Sequence, residues 1–210
     1  MSSAALDQTL LAGAREMGIA LEPSQAAALL RLLAELRGWN ERYNLTAISD
    51  PAEMVRKHLL DSLSVQPFLR GSRIADVGTG AGFPGLPLAV INAGRAFALI
   101  EATGKKIRFV QHVTETLGLA NVEVVHARAE SWRAPAPFDC IVSRALGKLA
   151  VFVRVAGHLC AREGRLLAMK GRRPEAELRA LPKGWRAIAV HEVRVPGLAA
   201  ERCVVELGRI

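Results

Sequence analysis

The fold of this 210-residue chain is decided by the stretch DVGTGAGFPG at residues 76–85. It follows a short apolar run, which is typical of a β-strand, and it precedes a segment whose apolar residues have helical spacing. Its glycines let the backbone approach a ligand closely and adopt positive φ angles. A glycine-rich turn in this position predicts a nucleotide-like ligand at the carboxyl edge of an open parallel sheet.

Beyond Gly71, short apolar runs alternate with helical segments. The predicted strands are 73–77, 96–100, 122–126, 138–142 and 165–169, and the predicted helices lie near 85–93, 104–118, 147–160 and 174–180. This alternation predicts a doubly wound α/β domain at 71–210, with a parallel sheet that helices cover on both faces. Two last runs, 185–195 and 202–207, are separated only by a turn and should pair as an antiparallel hairpin, which makes seven strands.

Residues 1–70 are predicted to form a helical N-terminal cap. One helix should start at Ser24, where leucines begin to recur at helical spacing. A second should start with Asp50 as its N-cap and Pro51 in its first turn, and run to about residue 69.

Composition excludes several classes of protein. Half of the residues are hydrophobic and 23% are charged, which is ordinary for a globular protein and unlike a disordered chain. No apolar run approaches the roughly 20 residues that span a bilayer, and no signal peptide is recognisable, so we expect a soluble, cytoplasmic protein without a membrane partner. The three cysteines and five histidines lack disulfide-framework or metal-ligand spacing, and no metal is predicted.

The positive charge is concentrated in the middle of the chain. Residues 101–190 carry 16 basic and 8 acidic side chains, whereas residues 1–100 carry 9 of each. A solvated basic face is one interpretation. The other is a polyanionic partner such as nucleic acid, since clustered Lys and Arg displace counterions from phosphates.

The glycine pattern alone leaves two ligand classes open. A literal GxGxxG begins at Gly80, and with Glu101 at the end of the second strand it fits a dinucleotide. Counted from Gly78, the pattern is GxGxG. Asp76 then stands where it could meet the ammonium of S-adenosylmethionine, while Glu101 binds the ribose hydroxyls. A P-loop is excluded because no GK[ST] follows.

Four segments, in order along the chain, resemble one known family. They are NERYNLT at 40–46, KHLLDS at 57–62, the glycine loop at 76–85 and Ser143-Arg144-Ala145. Over roughly residues 25–172 they are similar to the bacterial small-subunit ribosomal RNA methyltransferase G family, also called glucose-inhibited division protein B. The resemblance implies a Rossmann-like, S-adenosylmethionine-dependent methyltransferase fold and methylation of guanine N7 in a loop of 16S rRNA.

The resemblance also implies where the cofactor binds. The matching positions are Gly78 and Phe83 in the loop, Ala129 and Glu130 after the third strand, and Arg144 after the fourth. The chain departs from the family pattern twice. The family usually has leucine at the position of Phe83, and often an Asp-Ser pair where this chain has Glu101-Ala102.

Methyl transfer to guanine N7 makes modest demands on side chains. N7 offers a lone pair without a proton, so no general base is needed, and the protein mainly supplies positioning and electrostatics. Arg144 is predicted to touch both ligands, through guanine O6 or a phosphate and through the cofactor. His58 and Asp61 either pair on a helix surface or line the substrate cleft, and the resemblance favours the cleft, with His58 as a catalytic candidate. Cys140, inside the fourth strand, is expected to pack rather than attack.

Seven cations follow the ends of parallel strands and are predicted to converge beside the crevice as an RNA-backbone clamp. They are Lys105, Lys106, Arg108, Arg128, Lys170, Arg172 and Arg173. For residues 105–108, the alternative is simply the polar start of a helix.

Other functions remain open on the residues alone. They are a methyltransferase of another RNA or of a small molecule, an NAD-dependent oxidoreductase, and a cofactor-free RNA-binding module. The basic region argues against a small substrate. Tyr43 is the only tyrosine and lies in the cap, which argues against a Tyr/Lys hydride-transfer site. The expected partner is 16S rRNA or the small ribosomal subunit, and the expected state is a monomer.

Overall fold

The computed structural model describes residues 2–144 and 146–210. Its centre is a seven-stranded sheet with the strand order β3-β2-β1-β4-β5-β7-β6. The strands are β1 (Arg73–Val77), β2 (Ala96–Glu101), β3 (Val122–His126), β4 (Phe138–Ser143), β5 (Cys160–Lys170), β6 (Trp185–Val193) and β7 (Arg202–Arg209). Strands β1 to β5 are parallel, and β7 pairs antiparallel with both β5 and β6. The predicted seven strands and terminal hairpin are confirmed.

Helices surround the sheet as its alternating segments predict. The cap contains α1 (Ser3–Glu16), α2 (Pro23–Tyr43), α3 (Pro51–Met54), a π-helical segment (Val55–Leu60) and α4 (Asp61–Leu63). The sheet region adds α5 (Gly85–Ile91), α6 (Gly104–Thr116), α7 (Leu149–Ala156) and α8 (Glu175–Arg179).

The two faces of the sheet belong to two separate hydrophobic clusters, because neighbouring residues of a strand point in opposite directions. In β1, Ile74 packs into the cluster that holds the cap helices, whereas Ala75 packs into the cluster that holds α7. Leu36 of α2 and Phe109 of α6 lie in the same cluster as Ile74, and all three are fully buried. The helices at 1–70 therefore share their core with one face of the sheet. The division into a cap at 1–70 and a domain at 71–210 stays a prediction.

Two predicted helix boundaries in the cap are wrong. Helix α2 begins at Pro23 instead of Ser24, with Glu22 as the N-cap, whose backbone N–H donates to the Gln25 side chain at 3.0 Å. The helix capped by Asp50 starts as expected, since Asp50 accepts the backbone N–H of residue 53 at 2.9 Å. Its α-helical geometry changes to π-helical at Val55, however, and its last turn ends at residue 63 rather than 69.

Strand β5 is longer than predicted at its amino end. It begins at Cys160, which is also the predicted end of the preceding helix. Phe138 pairs with Cys160 and Cys140 pairs with Arg165, so residues 161–164 of β5 lie opposite Asp139 alone. The ladder is irregular there, and it extends to residues before Arg165. Polar residues before Arg165 hid this extension.

Candidate active site

The glycine loop after β1 adopts backbone conformations that favour glycine. Gly78, Gly80 and Gly82 have φ angles of 70°, 62° and 88°. A Cβ at Gly82 would lie 2.2 Å from a methyl group of Leu86, whereas a Cβ at Gly80 would meet nothing within 4 Å. The loop is therefore packed tightly against α5 on one side and open at Gly80 on the other.

Asp76 fixes the shape of this loop from beneath. Its Oδ2 accepts the Thr79 hydroxyl at 2.6 Å and the Gly85 backbone N–H at 2.7 Å, and its side chain is fully buried. Its Oδ1 is buried without a hydrogen-bond partner among the described residues. Burial raises the pKa of Asp76 to about 6, against the opposing effect of these two hydrogen bonds. In this arrangement Asp76 holds both ends of the turn.

Glu101 connects the loop to the end of β2. Its Oε2 accepts the Gly80 backbone N–H at 3.0 Å, and its Oε1 accepts the Thr103 backbone N–H at 2.8 Å. The side chain is buried, yet it lines a cavity. A carboxylate has about four acceptor sites, so Glu101 can accept further hydrogen bonds from a ligand.

A cavity of about 290 Å³ lies between the glycine loop and the ends of β2 and β3. Five of the eight predicted cofactor positions line it, namely Gly78, Gly80, Glu101, Ala129 and Glu130. Its volume is near the lower end of the roughly 300–1,000 Å³ typical of ligand pockets. Sequence reasoning missed other lining residues, including Ala127, Leu146 and Val155, because small apolar side chains carry no distinctive signal.

Arg144 turns towards the cap instead of lining this cavity. Its Nη1 donates to the Lys57 carbonyl at 3.1 Å and to Asp61 Oδ2 at 3.3 Å. Its guanidinium carbon lies 5.7 Å from the centre of the Phe83 ring. Leu146, two residues further on, does line the cavity, so Arg144 stands at the border between cavity and cap. Ala145, the last residue of the predicted Ser-Arg-Ala element, lies outside the described residues.

His58 and Phe83 form a stacked pair at the same border. Their ring centres are 4.8 Å apart with 23° between the planes, and both residues are buried. His58 Nε2 lies 3.0 Å from the Thr46 hydroxyl, while Nδ1 is buried without a partner in the part of the chain that the structure describes. Burial, reinforced by the positive charge of Arg144, lowers the pKa of His58 to about 4. The imidazole is therefore neutral at neutral pH, and Phe83 packs against it rather than into the cavity.

Asp61 has different partners from the one that a pairing on the helix surface predicts. A surface pairing with His58 is wrong, since both side chains are buried. Asp61 instead bridges two arginines, accepting Arg144 at Oδ2 and Arg202 Nε at Oδ1 at 2.7 Å. Arg202 lies 141 residues away at the start of β7, and no sequence signal pointed to it.

The seven predicted RNA-binding cations do not form one cluster. Lys106 and Arg128 line the cofactor-type cavity, Arg108 is exposed on α6, and the Lys105 amino group donates to the Tyr43 carbonyl at 2.9 Å. Lys170 is held by Glu177 at 2.8 Å and by the Gly147 carbonyl. The last two cations, Arg172 and Arg173, line a separate cavity beside the terminal hairpin. The seven cations do not converge because β5, at whose end Lys170, Arg172 and Arg173 lie, is two strands from β1 across the sheet.

Neither Cys140 nor a metal-binding cluster adds a second kind of chemistry among the described residues. Cys140 is fully buried, and burial raises the pKa of its thiol to about 12, so it packs as expected. Within residues 2–144 and 146–210, no group of three or more His, Cys, Asp or Glu residues could hold a metal ion. The helices of this part of the chain are either too short or too polar to cross a membrane.

Comparison with known proteins adds the family context. Residues 25–205 match the family described as rRNA small subunit methyltransferase G. The "Ribosomal RNA small subunit methyltransferase G" of Methylococcus capsulatus is 51% identical over 195 residues, which covers 93% of this chain and 95% of the relative. The protein of the same name from Pseudomonas syringae pv. syringae is 48% identical over 202 residues, covering 96% of this chain and 94% of the relative.

Solved structures confirm the predicted fold. The glycopeptide N-methyltransferase MtfA, complexed with S-adenosyl-L-homocysteine, superposes with a TM-score of 0.62 at 9% identity, covering 73% of this chain and 87% of that one. A SAM-dependent methyltransferase from Aquifex aeolicus gives a TM-score of 0.57 at 21% identity, covering 78% and 96%. The architecture is thus the Rossmann-like methyltransferase fold.

Proposed function

Because the chain belongs to the rRNA small subunit methyltransferase G family, we propose that it transfers the methyl group of S-adenosylmethionine to N7 of a specific guanine in 16S rRNA. The cofactor assignment rests on the cavity, whose wall includes Gly78, Gly80, Glu101, Ala129 and Glu130. The family relationship supports the rRNA substrate, and the chemistry of the side chains supports N7.

The cavity fits an adenosyl nucleoside. The open face of Gly80 leaves room for close approach of a ligand, since even an added Cβ would touch nothing there. The Glu101 carboxylate is held by two backbone N–H groups and retains acceptor capacity for a pair of ribose hydroxyls. The direct contact predicted for Asp76 stays a prediction, and its bonds to Thr79 and Gly85 make it a positioning residue for the loop.

S-adenosylmethionine supplies, when bound, a methyl group on a positively charged sulfur. The residues of this chain need to orient the guanine and exclude competing nucleophiles. Removal of a proton is not required, because N7 presents a lone pair. The side chains around the cavity agree with a reaction that needs no general base. No histidine or cysteine is among the described residues of the cavity wall, and the nearby His58 ring is neutral and occupied by the Thr46 hydroxyl.

Arg144 is the residue best placed to recognise the guanine. Both of its hydrogen bonds to the cap use Nη1, so its Nε and Nη2 groups remain available among the described contacts. Guanine presents O6 and N7 to an arginine on its major-groove edge. Because N7 must stay accessible to the methyl group, Arg144 donates to O6 or to a neighbouring phosphate. His58 acts by supporting Phe83 beneath the guanidinium.

Lys106 and Arg128 form the part of the predicted clamp that lines the cofactor cavity, and Lys105 and Arg108 lie on the same helix as Lys106. Backbone contacts by such side chains orient an RNA without reading its sequence. We propose that the enzyme acts on the small ribosomal subunit in the cytoplasm, as a monomer.

The experiment uses methyl-labelled S-adenosylmethionine and small ribosomal subunits that lack the modification. After reaction, the 16S rRNA is reduced and treated with aniline, which cleaves at 7-methylguanosine. We expect cleavage at a single guanine. Incorporation without cleavage would refute N7 as the acceptor. Equilibrium dialysis with labelled NAD provides a control, since retention of NAD in place of S-adenosylmethionine would favour an oxidoreductase.

A further inference from the structure

We propose that a groove beside the terminal hairpin, at the edge of the sheet where the parallel strands end, binds the RNA backbone and fixes the position of the substrate relative to Arg144. This inference rests on the proposed function, since it names a second contact surface for the same RNA. The hairpin groove has a volume of about 450 Å³. Its charged lining residues are Arg172, Arg173, Glu192, Arg194, Glu201 and Arg202.

Topology places the hairpin groove on the same edge of the sheet as the cofactor cavity. Strand β1 leads into the glycine loop at this edge, and the parallel strand β5 ends here at Lys170. Because β7 is antiparallel to β5 and β6, it starts here at Arg202 while β6 ends here at Val193. One RNA segment running along this edge can therefore reach both sites.

The wall of the hairpin groove is net positive, and two of its arginines are exposed. Four arginines against two glutamates line it, with Arg202 paired to Asp61 and Arg173 to Glu175 outside the lining. Arg172 and Arg194 are exposed and have no ion-pair partner among residues 2–144 and 146–210. Arg173 pairs only with Glu175 at 2.5 Å, and both side chains are more than half exposed, so this pair opposes a competing phosphate only weakly.

The residue types suit RNA in particular. A planar guanidinium matches the geometry of a phosphate better than an ammonium does. The carboxylates of Glu192 and Glu201 lie among these donors and can accept ribose 2′-hydroxyls, which distinguish RNA from a simple polyanion.

Arg202 connects the hairpin groove to the active site. It lines the groove and donates to Asp61 Oδ1, while Asp61 Oδ2 accepts from Arg144. The Asp61 carboxylate is only 6% exposed, and both of its oxygens are engaged, so the three side chains have little freedom. An RNA backbone held in the groove is consequently held at a fixed distance from Arg144.

The test removes two charges from the groove and compares the result with removal of two charges elsewhere. The groove variant is Arg172→Gln with Arg194→Gln. The matched control is Lys183→Gln with Arg186→Gln, since both of these residues are exposed and lie at the opposite end of the same hairpin. Binding to unmodified small ribosomal subunits is measured between 50 and 200 mM salt at constant Mg²⁺, together with the Kd for S-adenosylmethionine.

We expect the groove variant to lower the slope of log Kd against log salt by about 1.5, which corresponds to two lost phosphate contacts. Over this salt range the wild type should therefore lose about eightfold more affinity than the groove variant. The control should keep the slope of the wild type, and both variants should bind S-adenosylmethionine normally.

Each other outcome counts against the inference. Equal slopes for groove variant, control and wild type, with site-specific methylation intact, overturn the groove while leaving the proposed function in place. A wild-type protein that neither binds nor methylates the subunits overturns both. If the control loses as much slope as the groove variant, only the total charge matters, and the proposed RNA contact at the groove is refuted.

Discussion

Replacing Asp61 with asparagine tests whether the cap holds Arg144 in place. The substitution keeps the size of the side chain but removes the charge that two arginines share at 3.3 and 2.7 Å. Hydrogen bonds to charged groups contribute about 1.5–3 kcal/mol each. The arginine side chains are 28% and 26% exposed and regain water when released, and asparagine keeps one acceptor oxygen. We therefore expect a loss of about 2–3 kcal/mol from a total of roughly 5–15 kcal/mol.

The thermal midpoint should fall by roughly 4–12 °C, since 1 kcal/mol shifts it by about 2–4 °C in a chain of this size. The effect on catalysis should be larger than stability alone explains. Arg144 retains its bond to the Lys57 carbonyl and its contact with Phe83, but it loses its charged anchor. Because misplacement of a positioned group by about 1 Å can cost 100-fold, we expect kcat for small subunits to fall by about 10- to 100-fold.

A second carboxylate provides the control for stability. Asp139 accepts the backbone N–H groups of Ser72 and Arg73 at 2.8 and 3.0 Å, at the opposite edge of the sheet. Asp139→Asn should cost about 1 kcal/mol and leave kcat unchanged. Both variants are assayed well below their thermal midpoints, with folding verified by circular dichroism. If Asp61→Asn loses stability but retains wild-type kcat, as the control does, then Asp61 is a structural residue and the reasoning about Arg144 is refuted.

Further predictions concern the loop and the buried histidine. Gly85→Ala would bring a Cβ within 2.2 Å of a Leu99 methyl, and we expect a loss of about 1–3 kcal/mol in denaturant unfolding. The added methyl group of Gly80→Ala meets no atom, so the variant should lose only the ~1–2 kcal/mol of stability that a positive φ costs alanine. It should also bind S-adenosylmethionine more weakly in calorimetry. An unaltered affinity would show that Gly80 does not contact the cofactor. For His58, burial lowers the folded-state pKa to about 4 from 6.5, so the unfolded chain takes up a proton first and stability falls by about 3 kcal/mol as the pH drops through this window. His58→Gln should lack this decline. Asp76 has a raised pKa of about 6, so its protonation increases stability as the pH falls, opposite to the effect of His58. Both the wild type and the His58→Gln variant contain Asp76. Identical stability profiles in acid for the two proteins would therefore contradict the burial argument.

Local sequence patterns predicted the sheet well. Strands β1 and β3 begin and end at the predicted residues, because each is a short apolar run between turn-forming residues. The cofactor cavity was also predictable, since a glycine loop and the ends of parallel strands must meet at one edge. The wrong predictions concern features that depend on a partner strand elsewhere in the chain. The early start of β5 depends on the pairing of Cys160 with Phe138 across an irregular stretch at 161–164, and the polar residues of that stretch do not follow a strand pattern.

The orientation of the site's side chains required the structure. The sequence placed Phe83 in the loop but not against His58, since a ring in a turn can point into the ligand site or into the core. Likewise, the pairing of Asp61 with Arg202 spans 141 residues, and hydrophobic periodicity carries no information about such a contact. The seven cations looked equivalent in the sequence, yet strand order separates them into two groups.

The π-helical segment explains how the cap reaches the candidate active site. Segment Val55–Leu60 contains His58, and the N–H of Asp61 directly after it donates to the carbonyl of Arg56, five residues back. Each residue turns an α-helix by about 100°, so the wider turn sets which side chains face the sheet and which face the loop. Such segments occur frequently at functional sites. Here His58 reaches Phe83 and Asp61 reaches Arg144, while Leu59 and Leu60 between them stay in the core. The residue directly after the segment therefore supplies the carboxylate that Arg144 and Arg202 share, which is the contact that the Asp61→Asn variant tests.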